Sequence, residues 1–298
     1  MMKKLINKII SKITNIDKIK SNHNETKLLL GKIATGINHI KKFQDMREYE
    51  VKVFSQFGED GIIDFLIKEL DIKNNKFIEI GIENYEESNT RYLLEAKNWN
   101  GLIIDGSQKY VDYIVKQNYY WRNNITAKCS FVTEKNINDV IKDFSIKDDI
   151  GLLSIDIDGN DYWIWKKIEN LKPDIVIIEY NARLGSKKSI TTPYEENFNR
   201  IDKHHSSIYF GCSLAALYKL GKKKGYSLIY TNVNGNNAFF INNQILRNSK
   251  SEIVKEKSPD ECFNAHSFNE LRDINGNILD RNKELEDEIL KNCKFENV

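Results

Sequence analysis

Short apolar runs alternate with amphipathic segments along most of this chain, a pattern typical of strands alternating with helices. The apolar runs cover residues 76–80, 101–104, 125–131, 151–155, 174–178, 226–231 and 238–241. Helical spacing covers residues 62–70, 109–116, 137–144 and 213–223, with further helices starting near residues 88 and 160. This alternation predicts an α/β fold with a doubly wound, mostly parallel sheet. Because the last two runs flank Asn234-Gly235-Asn236, a typical hairpin turn, we expect one antiparallel strand.

The first 50 residues predict a helical extension without catalytic chemistry. Residues 3–20 place leucine and isoleucine at helical spacing among six lysines, and a second helical pattern runs through residues 26–43. A basic amphipathic helix suits an anionic membrane surface, but it also suits packing on its own domain or in a homodimer. We therefore divide the chain into an extension (1–50), a central domain (51–244) and a charged C-terminal extension (245–298).

Composition excludes several classes of protein. The 298 residues carry 45 basic and 43 acidic side chains, so overall charge gives no reason to expect a nucleic-acid partner. No apolar run reaches the roughly 18 residues of a membrane span, and no signal-peptide core is found near the N-terminus. We expect a cytoplasmic protein, either free or peripheral at the inner face of the membrane. Four scattered cysteines without metal-site spacing predict reduced thiols.

An acidic cluster is expected where two neighbouring strands end. Asp156 and Asp158 follow the run at 151–155, while Glu179 and Asn181 follow the run at 174–178. Because parallel strands of a βαβ unit end at the same edge of the sheet, these side chains should converge there. The cluster is a candidate site for a hard cation or for a proton-transferring pair. Its oxygen ligands suit Mg²⁺ or Ca²⁺ better than Zn²⁺.

A second candidate site follows the first and second predicted strands. Gly81 ends the first strand and Asp105 ends the second, a spacing at which an acidic residue accepts hydrogen bonds from ribose hydroxyls. A pyrophosphate cradle would need more than one glycine, which argues against NAD or FAD. The pattern fits S-adenosylmethionine, which contains adenosine but no phosphate.

The segment 182–210 is a long polar loop that leaves the same edge of the predicted sheet. Such loops in compact domains are more often functional than idle. His204 and His205 lie in this loop and are adjacent, so at most one of them should point into a site. They are our candidates for a general base.

Several motifs together resemble a bacterial family of FkbM-type S-adenosylmethionine-dependent methyltransferases. The segments are FSQFGEDGIIDFLI, KFIEIGIEN, ESNTRYLLE, NWNGLIIDGS, LLSIDIDGNDYWIWK, PDIVIIEYNA, YFGCSLAAL and GYSLIYTNVNGNNAFF, within residues 52–243. The resemblance implies a Rossmann-like class I methyltransferase fold and a sugar hydroxyl of a surface polysaccharide or glycan precursor as acceptor. It implies cofactor contacts by Glu79, Gly81 and Asp105, with Gln56 and Asn89 as neighbours. The sequence departs from general methyltransferases at residues 82–84, where further glycines are usual.

The acidic cluster also resembles the rim of metal-dependent O-methyltransferases. Asp156 or Asp158 would take the first ligand position, and Glu179 and Asn181 the second, although Tyr180 separates the latter two. The expected function is therefore O-methylation of a sugar hydroxyl, assisted by a divalent cation such as magnesium, with Asp158 and His204 or His205 in catalysis. Two alternatives remain open at this stage: a DxD-type metal-dependent glycosyltransferase, because Asp156 and Asp158 form that motif, and a non-catalytic cofactor-binding protein that docks on a membrane.

Overall fold

A seven-stranded mixed sheet forms the centre of this computed structural model, which describes residues 2–142, 144 and 150–298, with the backbone alone for 2–17. The strands are β1 Lys76–Ile80, β2 Asn100–Asp105, β3 Ile125–Cys129, β4 Leu152–Ile155, β5 Ile175–Glu179, β6 Ile190–Thr191, β7 Tyr226–Thr231, β8 Asn237–Asn242 and β9 Glu296–Asn297. The large sheet has the order β3-β2-β1-β4-β5-β8-β7, while β6 and β9 form a separate antiparallel pair.

Helices cover both faces of the sheet. They are α1 Met2–Lys41, α2 Glu59–Glu69, α3 Arg91–Lys97, α4 Gln108–Ile114, α5 Asn118–Arg122, α6 Ile137–Ile141, α7 Asp161–Lys167, α8 Arg200–Lys203, α9 Leu214–Lys224, α10 Asn243–Asn248, α11 Pro259–Cys262 and α12 Lys283–Lys291, with short 3-10 helices at Met46–Tyr49 and Ala182–Leu184. The helix predicted over 137–144 ends earlier, at Ile141, and residue 143 lies outside the described part. Helices α5, α8, α10 and α11 were not predicted.

The sheet topology confirms the predicted doubly wound architecture. Strands β1 to β5 and β7 run parallel, and β8 is antiparallel to both of its neighbours. The chain builds outward from β1 through β2 and β3, then returns to add β4 and β5 on the other side. The strand order therefore reverses between β1 and β4, and the crevice beyond their carboxyl ends is where such sheets bind ligands.

Alternating side chains of the strands feed two hydrophobic cores, one on each face of the sheet. Ile78 and Ile80 of β1 pack on the side of α7, together with Trp165. Phe77 points to the other face, with Leu66 of α2. Because the sheet is covered on both faces, β5 is buried along its whole length, as expected for a central parallel strand.

The N-terminal extension is one continuous helix, whereas the sequence pattern predicted two. No proline interrupts residues 20–26, so α1 runs unbroken through the predicted gap. Its contact with the domain is partly polar: Thr35 bonds Tyr92 at 3.0 Å, Asn38 donates to the Tyr49 carbonyl, and His39 pairs with Asp64 at 2.7 Å. Leu28 adds an apolar contact with Val53, Phe54 and Tyr92. The leucine and isoleucine residues of α1 between residues 29 and 40 are exposed.

The C-terminal extension packs on the central domain and completes one end of it. Strand β9 pairs with β6, in the segment that follows β5. Leu271 and Leu290 form a small core with Leu184 and Ile208. Residues from this extension therefore reach the carboxyl edge of the sheet.

Candidate active site

A cleft of about 590 Å³ lies at the carboxyl ends of β1 and β4, where the strand order reverses. Of the residues singled out from the sequence, it is lined by Gln56, Glu79, Gly81, Asn89, Asp105, Asp156, Asp158 and Glu179. Its size lies in the range of sites for cofactors and small molecules, roughly 300–1,000 Å³. The structure thus brings the two predicted sites together in one cavity.

Glu79 lies in this cleft, but its carboxylate is already engaged by the chain. It accepts hydrogen bonds from Ser88 Oγ at 2.6 Å, from the Asn89 backbone N–H at 2.8 Å and from Thr90 Oγ1 at 2.5 Å. Burial raises the pKa of Glu79, and these three donors oppose the rise. Glu79 therefore holds the loop before α3 in place, which in turn positions the Asn89 side chain against Ser154.

Asp105 closes β2 and faces the loop after β1. Its Oδ2 accepts the backbone N–H groups of Ile82 at 3.2 Å and Glu83 at 2.8 Å, and its Oδ1 accepts that of Ser107 at 2.7 Å. The side chain is only partly buried and lines the cleft. Because a carboxylate has about four acceptor positions, capacity remains for hydroxyl donors of a ligand.

The loop 53–57 is shaped by the buried carboxylate of Asp60. Its Oδ2 accepts the backbone N–H groups of Val53, Phe54 and Ser55 and the Ser55 hydroxyl, all within 2.8 Å. Burial raises the pKa of Asp60 to about 6 despite these donors. The acidic residue of the FSQFGEDG segment thus folds this loop over the cleft, where Gln56 is part of the wall.

Two distant motifs meet at this loop. Glu59 accepts hydrogen bonds from Asn232 at 2.7 Å and Asn237 at 2.9 Å, and Asn236 donates to Gln56 at 3.1 Å. The FSQFGEDG segment is therefore tied to the turn between β7 and β8, and together they form one wall. Local sequence patterns carry no signal for this pairing, because about 175 residues separate the partners.

A carboxylate cluster lies at the adjoining ends of β4 and β5. Ligand oxygens of Asp156, Asp161 and Glu179 lie within 4.8 Å of one another. Asp161 also accepts the backbone N–H groups of Ile157 at 2.8 Å and Gly159 at 2.9 Å, so it shapes the turn as well. The Oε2 atom of Glu179 has no hydrogen-bond partner among the described residues, although it is buried. Asp161 was not among the site residues predicted from the sequence.

Burial and mutual repulsion disfavour full ionisation of this cluster. The pKa of Asp156 is raised well above its usual range by burial and then by the charges of Asp158 and Asp161. The pKa of Glu179 is raised in the same direction by burial and then by Asp156 and Asp158. The pKa of Asp161 rises to about 6, mainly through burial. At neutral pH the carboxylates of the cluster should therefore either share a proton or be neutralised by a positively charged partner.

Asp158 takes part in an ion-pair chain rather than in this cluster. Its carboxylate receives Arg200 Nη1 at 2.6 Å, and Arg200 Nη2 contacts Glu270 at 3.0 Å. Burial opposes the charge of Arg200, but its pKa is nevertheless raised because Asp158 and Glu270 surround it with negative charge. Arg200, Glu270 and Phe268 line the cleft and were missed in the sequence, since nothing local distinguishes them from surface residues.

Three predicted site residues lie outside the cleft lining. Asn181 is buried, but its amide donates to the carbonyls of Ile208 and Phe210 and accepts from the Arg183 N–H, so it fixes the backbone instead of facing a ligand. His204 bonds Ser206 at 2.7 Å and stacks on His205, because the chain becomes extended after α8 ends. In this structure, neither histidine is placed to act as a base in the cleft.

The strand order, with β8 as the antiparallel member, is that of the Rossmann-like class I fold of S-adenosylmethionine-dependent methyltransferases.

No protein-family model and no curated protein sequence matches this chain. Several solved structures are similar in fold. An O-methyltransferase from Bacillus cereus in complex with SAH is 12% identical, with 72% of this chain and 89% of that chain covered and a TM-score of 0.42. A S-adenosylmethionine-dependent methyltransferase from Clostridium acetobutylicum is 12% identical, with coverages of 61% and 89% and a TM-score of 0.39. The methyltransferase domain of bacterial-CtHen1-C is 15% identical, with coverages of 60% and 95% and a TM-score of 0.39. Likeness at this level concerns the fold and does not extend to substrates.

Proposed function

We propose that this chain is an S-adenosylmethionine-dependent O-methyltransferase that acts on a hydroxyl of a sugar or surface-glycan precursor with the help of a divalent cation. The observation that carries the proposal is the charge of the cleft at the strand-order reversal. Among the described residues that line it, eight side chains are acidic and one is basic, Arg200. The acidic residues are Glu79, Glu83, Glu87, Asp105, Asp156, Asp158, Glu179 and Glu270. Such a cleft favours cationic ligands.

This charge distribution favours S-adenosylmethionine over a nucleotide sugar. The sulfonium centre is positively charged and the cofactor has no phosphate, so an acidic cleft can accept it without neutralising groups. A nucleotide sugar brings a diphosphate, and Arg200 is already paired with Asp158 and Glu270. Because Asp158 is engaged in that ion pair, the DxD interpretation also loses one of its two metal ligands. These contacts disfavour the glycosyltransferase alternative.

Asp105 suits the ribose of the cofactor, because it ends β2 beside the loop after β1 and retains acceptor capacity. When bound, S-adenosylmethionine would supply a methyl group attached to a positively charged sulfur. This sulfur leaves as a neutral thioether, so the leaving group needs no activation by the protein. The protein must then orient the acceptor hydroxyl and remove its proton. Among the described cleft residues, Asp156 and Glu179 have the carboxyl groups whose pKa values burial and neighbouring acidic residues raise well above their usual range.

A hard cation fits the chemistry of the carboxylate cluster. Asp156, Asp161 and Glu179 offer oxygen ligands, and the unpaired Oε2 of Glu179 is a buried acceptor that needs a positive partner. Relative to the residues predicted from the sequence, Asp161 replaces Asp158 and Asn181 in the proposed set. A cation here would acidify a coordinated hydroxyl and hold it in place.

Polar acceptors in the same cleft support a sugar as the methyl acceptor. Asn160 and Asn237 line the cleft, and the buried Oδ1 atom of each has no hydrogen-bond partner among the described residues. Unpaired buried acceptors are costly, and hydroxyl groups of a sugar are donors that would satisfy them. An apolar acceptor would leave both oxygens unpaired.

The direct test is an assay of S-adenosylhomocysteine release with a panel of sugars and nucleotide-free glycan precursors. We expect turnover to fall by about 10-fold or more in excess EDTA and to return with Mg²⁺, because the cation contributes several kcal/mol to acidifying the hydroxyl. The His204→Ala variant should retain wild-type turnover, since His204 lies outside the cleft. Full turnover in EDTA would contradict the role of a divalent cation. Absence of turnover with every sugar tested would contradict a sugar hydroxyl as the methyl acceptor.

Replacing Asp105 by Ala should weaken binding of S-adenosylmethionine by about 1–3 kcal/mol, because a charged acceptor of hydroxyl donors is lost. The Asp105→Asn variant keeps one acceptor oxygen and should show a smaller loss. Isothermal titration calorimetry measures both, with Asp139→Ala on the surface of α6 as the control. Equal affinity in all four proteins would separate Asp105 from the cofactor.

A further inference from the structure

Helix α1 carries a seven-residue repeat of apolar residues that its contact with the domain does not use. When residues 2, 9, 16, 23, 30 and 37 are assigned to heptad position a and residues 5, 12, 19, 26, 33 and 40 to position d, nine of the twelve are leucine, isoleucine or methionine. The exceptions are Lys12, His23 and Thr26. An a/d pattern sustained over this many heptads is the sequence signature of a coiled coil.

The structure places this seam on the outer side of α1. In the part of the helix whose side chains are described, the apolar a and d residues are between 44% and 81% exposed: Ile19, Leu30, Ile33, Ile37 and Ile40. Gly31, Thr35 and Asn38, on the opposite side, are buried against the domain. The helix therefore docks through its b and f positions and leaves the a and d positions open.

The period of the seam distinguishes a coiled coil from a membrane surface. A straight α-helix has 3.6 residues per turn, so a strict seven-residue repeat drifts by about 20° per heptad around it. Over the length of α1 the apolar stripe would turn by about 100° and could not lie on a flat bilayer. A partner helix that supercoils with α1 follows the stripe throughout. In addition, no helix among the described residues is long and apolar enough to cross a membrane.

The charges beside the seam allow a second copy to pair in parallel. In a parallel pair, each g position faces the e position five residues later on the other helix. The lysines at e, which are Lys20, Lys27 and Lys41, would face Asn15, Asn22 and Gly36. No like charges meet between these e and g positions, whereas Lys12 at position d would face Lys12 of the second copy. An antiparallel pair would bring e positions together and set lysine against lysine.

The available area is sufficient for a specific interface. Helix α1 has 40 residues, which corresponds to a length of about 60 Å and, at a width of about 10 Å, to a face of about 600 Å² per chain. Two such faces give about 1,200 Å², the lower bound for stable protein–protein interfaces. We infer that α1 joins this protein to a second copy of itself through a parallel coiled coil of its a and d positions.

Analytical ultracentrifugation of the full chain tests this inference. The wild-type protein should sediment at twice the chain mass of 34.8 kDa at micromolar concentration. The I33E/I37E variant should sediment as a monomer, with association weakened at least about 100-fold, because charges would be buried in the seam. The K32E variant changes the net charge by the same two units at an exposed position outside the seam and should assemble like the wild type. Retained binding of S-adenosylhomocysteine would show that the I33E/I37E protein is folded.

A second pair of substitutions, I19E/L30E, repeats the test at other layers of the same seam. Assembly that survives both pairs would overturn the inference, as would a monomeric wild-type protein. Flotation with phosphatidylcholine vesicles, with and without phosphatidylserine, covers the lipid alternative: a monomeric wild-type protein that floats only with phosphatidylserine would assign the face to an anionic membrane instead.

Discussion

Replacing Glu179 by Gln is expected to stabilise the protein in EDTA at neutral pH, by about 1–3 kcal/mol, and to abolish its response to Mg²⁺. The amide removes one of the buried like charges at the ends of β4 and β5 while keeping the shape of the side chain. Each unit by which a pKa is raised corresponds to about 1.4 kcal/mol of unfavourable interaction with the charged form. Because Glu179 and Asp156 both have raised pKa values, the effect should be among the largest for a single polar substitution.

The pH dependence follows from the direction of the shift. A carboxyl group whose pKa is higher in the folded protein binds its proton more tightly there than in the unfolded chain. Without a cation, the native protein should therefore lose stability as pH rises from about 4.5, the usual value for glutamate, toward the raised folded value. Glu179→Gln should flatten this part of the profile. Added Mg²⁺ should restore the stability of the native protein at pH 7, because it binds only the folded state.

Glu270→Gln is the matched control for this substitution. Glu270 lines the same cleft, but it accepts Arg200 at 3.0 Å and Arg183 at 3.0 Å, so its amide variant should be less stable and should still respond to Mg²⁺. Thermal unfolding at several pH values, with EDTA or Mg²⁺, measures all three proteins. If Mg²⁺ leaves the native midpoint unchanged, the carboxyl pair acts through a shared proton and not through a cation.

The sequence predicted the central strands well because their apolar runs have clear borders. Strands β1 and β7 coincide with the predicted ranges residue for residue, and the switch to an antiparallel β8 followed from one Asn-Gly turn. The sequence also singled out Gly81 and Asp105, which lie in the cleft lining at the ends of adjacent parallel strands; their role in cofactor binding stays a prediction. The apolar pattern therefore predicts the fold, and the residues at the strand ends predict part of the cleft lining.

The other half of the cleft depends on contacts between distant segments. Arg200 and Glu270 are 70 residues apart and meet only because the C-terminal extension packs over the end of the sheet. His204 was a candidate base because it lies in a polar loop, yet it bonds Ser206 outside the cleft once the short helix α8 ends. In such loops, tertiary packing determines which polar side chain lines the cleft, and a local sequence pattern does not indicate which one it is.

Replacing Gly81 by Ala is expected to cost at least about 4 kcal/mol and to yield little soluble protein. Gly81 has a φ of +80°, and a Cβ atom there would lie 1.6 Å from the carbonyl oxygen of Asp156. Strands β1 and β4 would have to separate at the point where the cleft is built. Overlap with backbone cannot be relieved by rotating a side chain, so the substitution should also displace Asp156 from the carboxylate cluster.

Gly276→Ala separates the two causes of this effect. Gly276 has a nearly identical φ of +83°, but a Cβ atom there would have no neighbour within 4 Å. Its variant should lose only the conformational term of about 1–2 kcal/mol for a left-handed residue. Urea unfolding of both variants, with S-adenosylhomocysteine binding by whatever Gly81→Ala protein remains soluble, gives the comparison. Equal losses in the two variants would mean that the ends of β1 and β4 part freely, and the close approach that defines the cleft would then contribute nothing to stability.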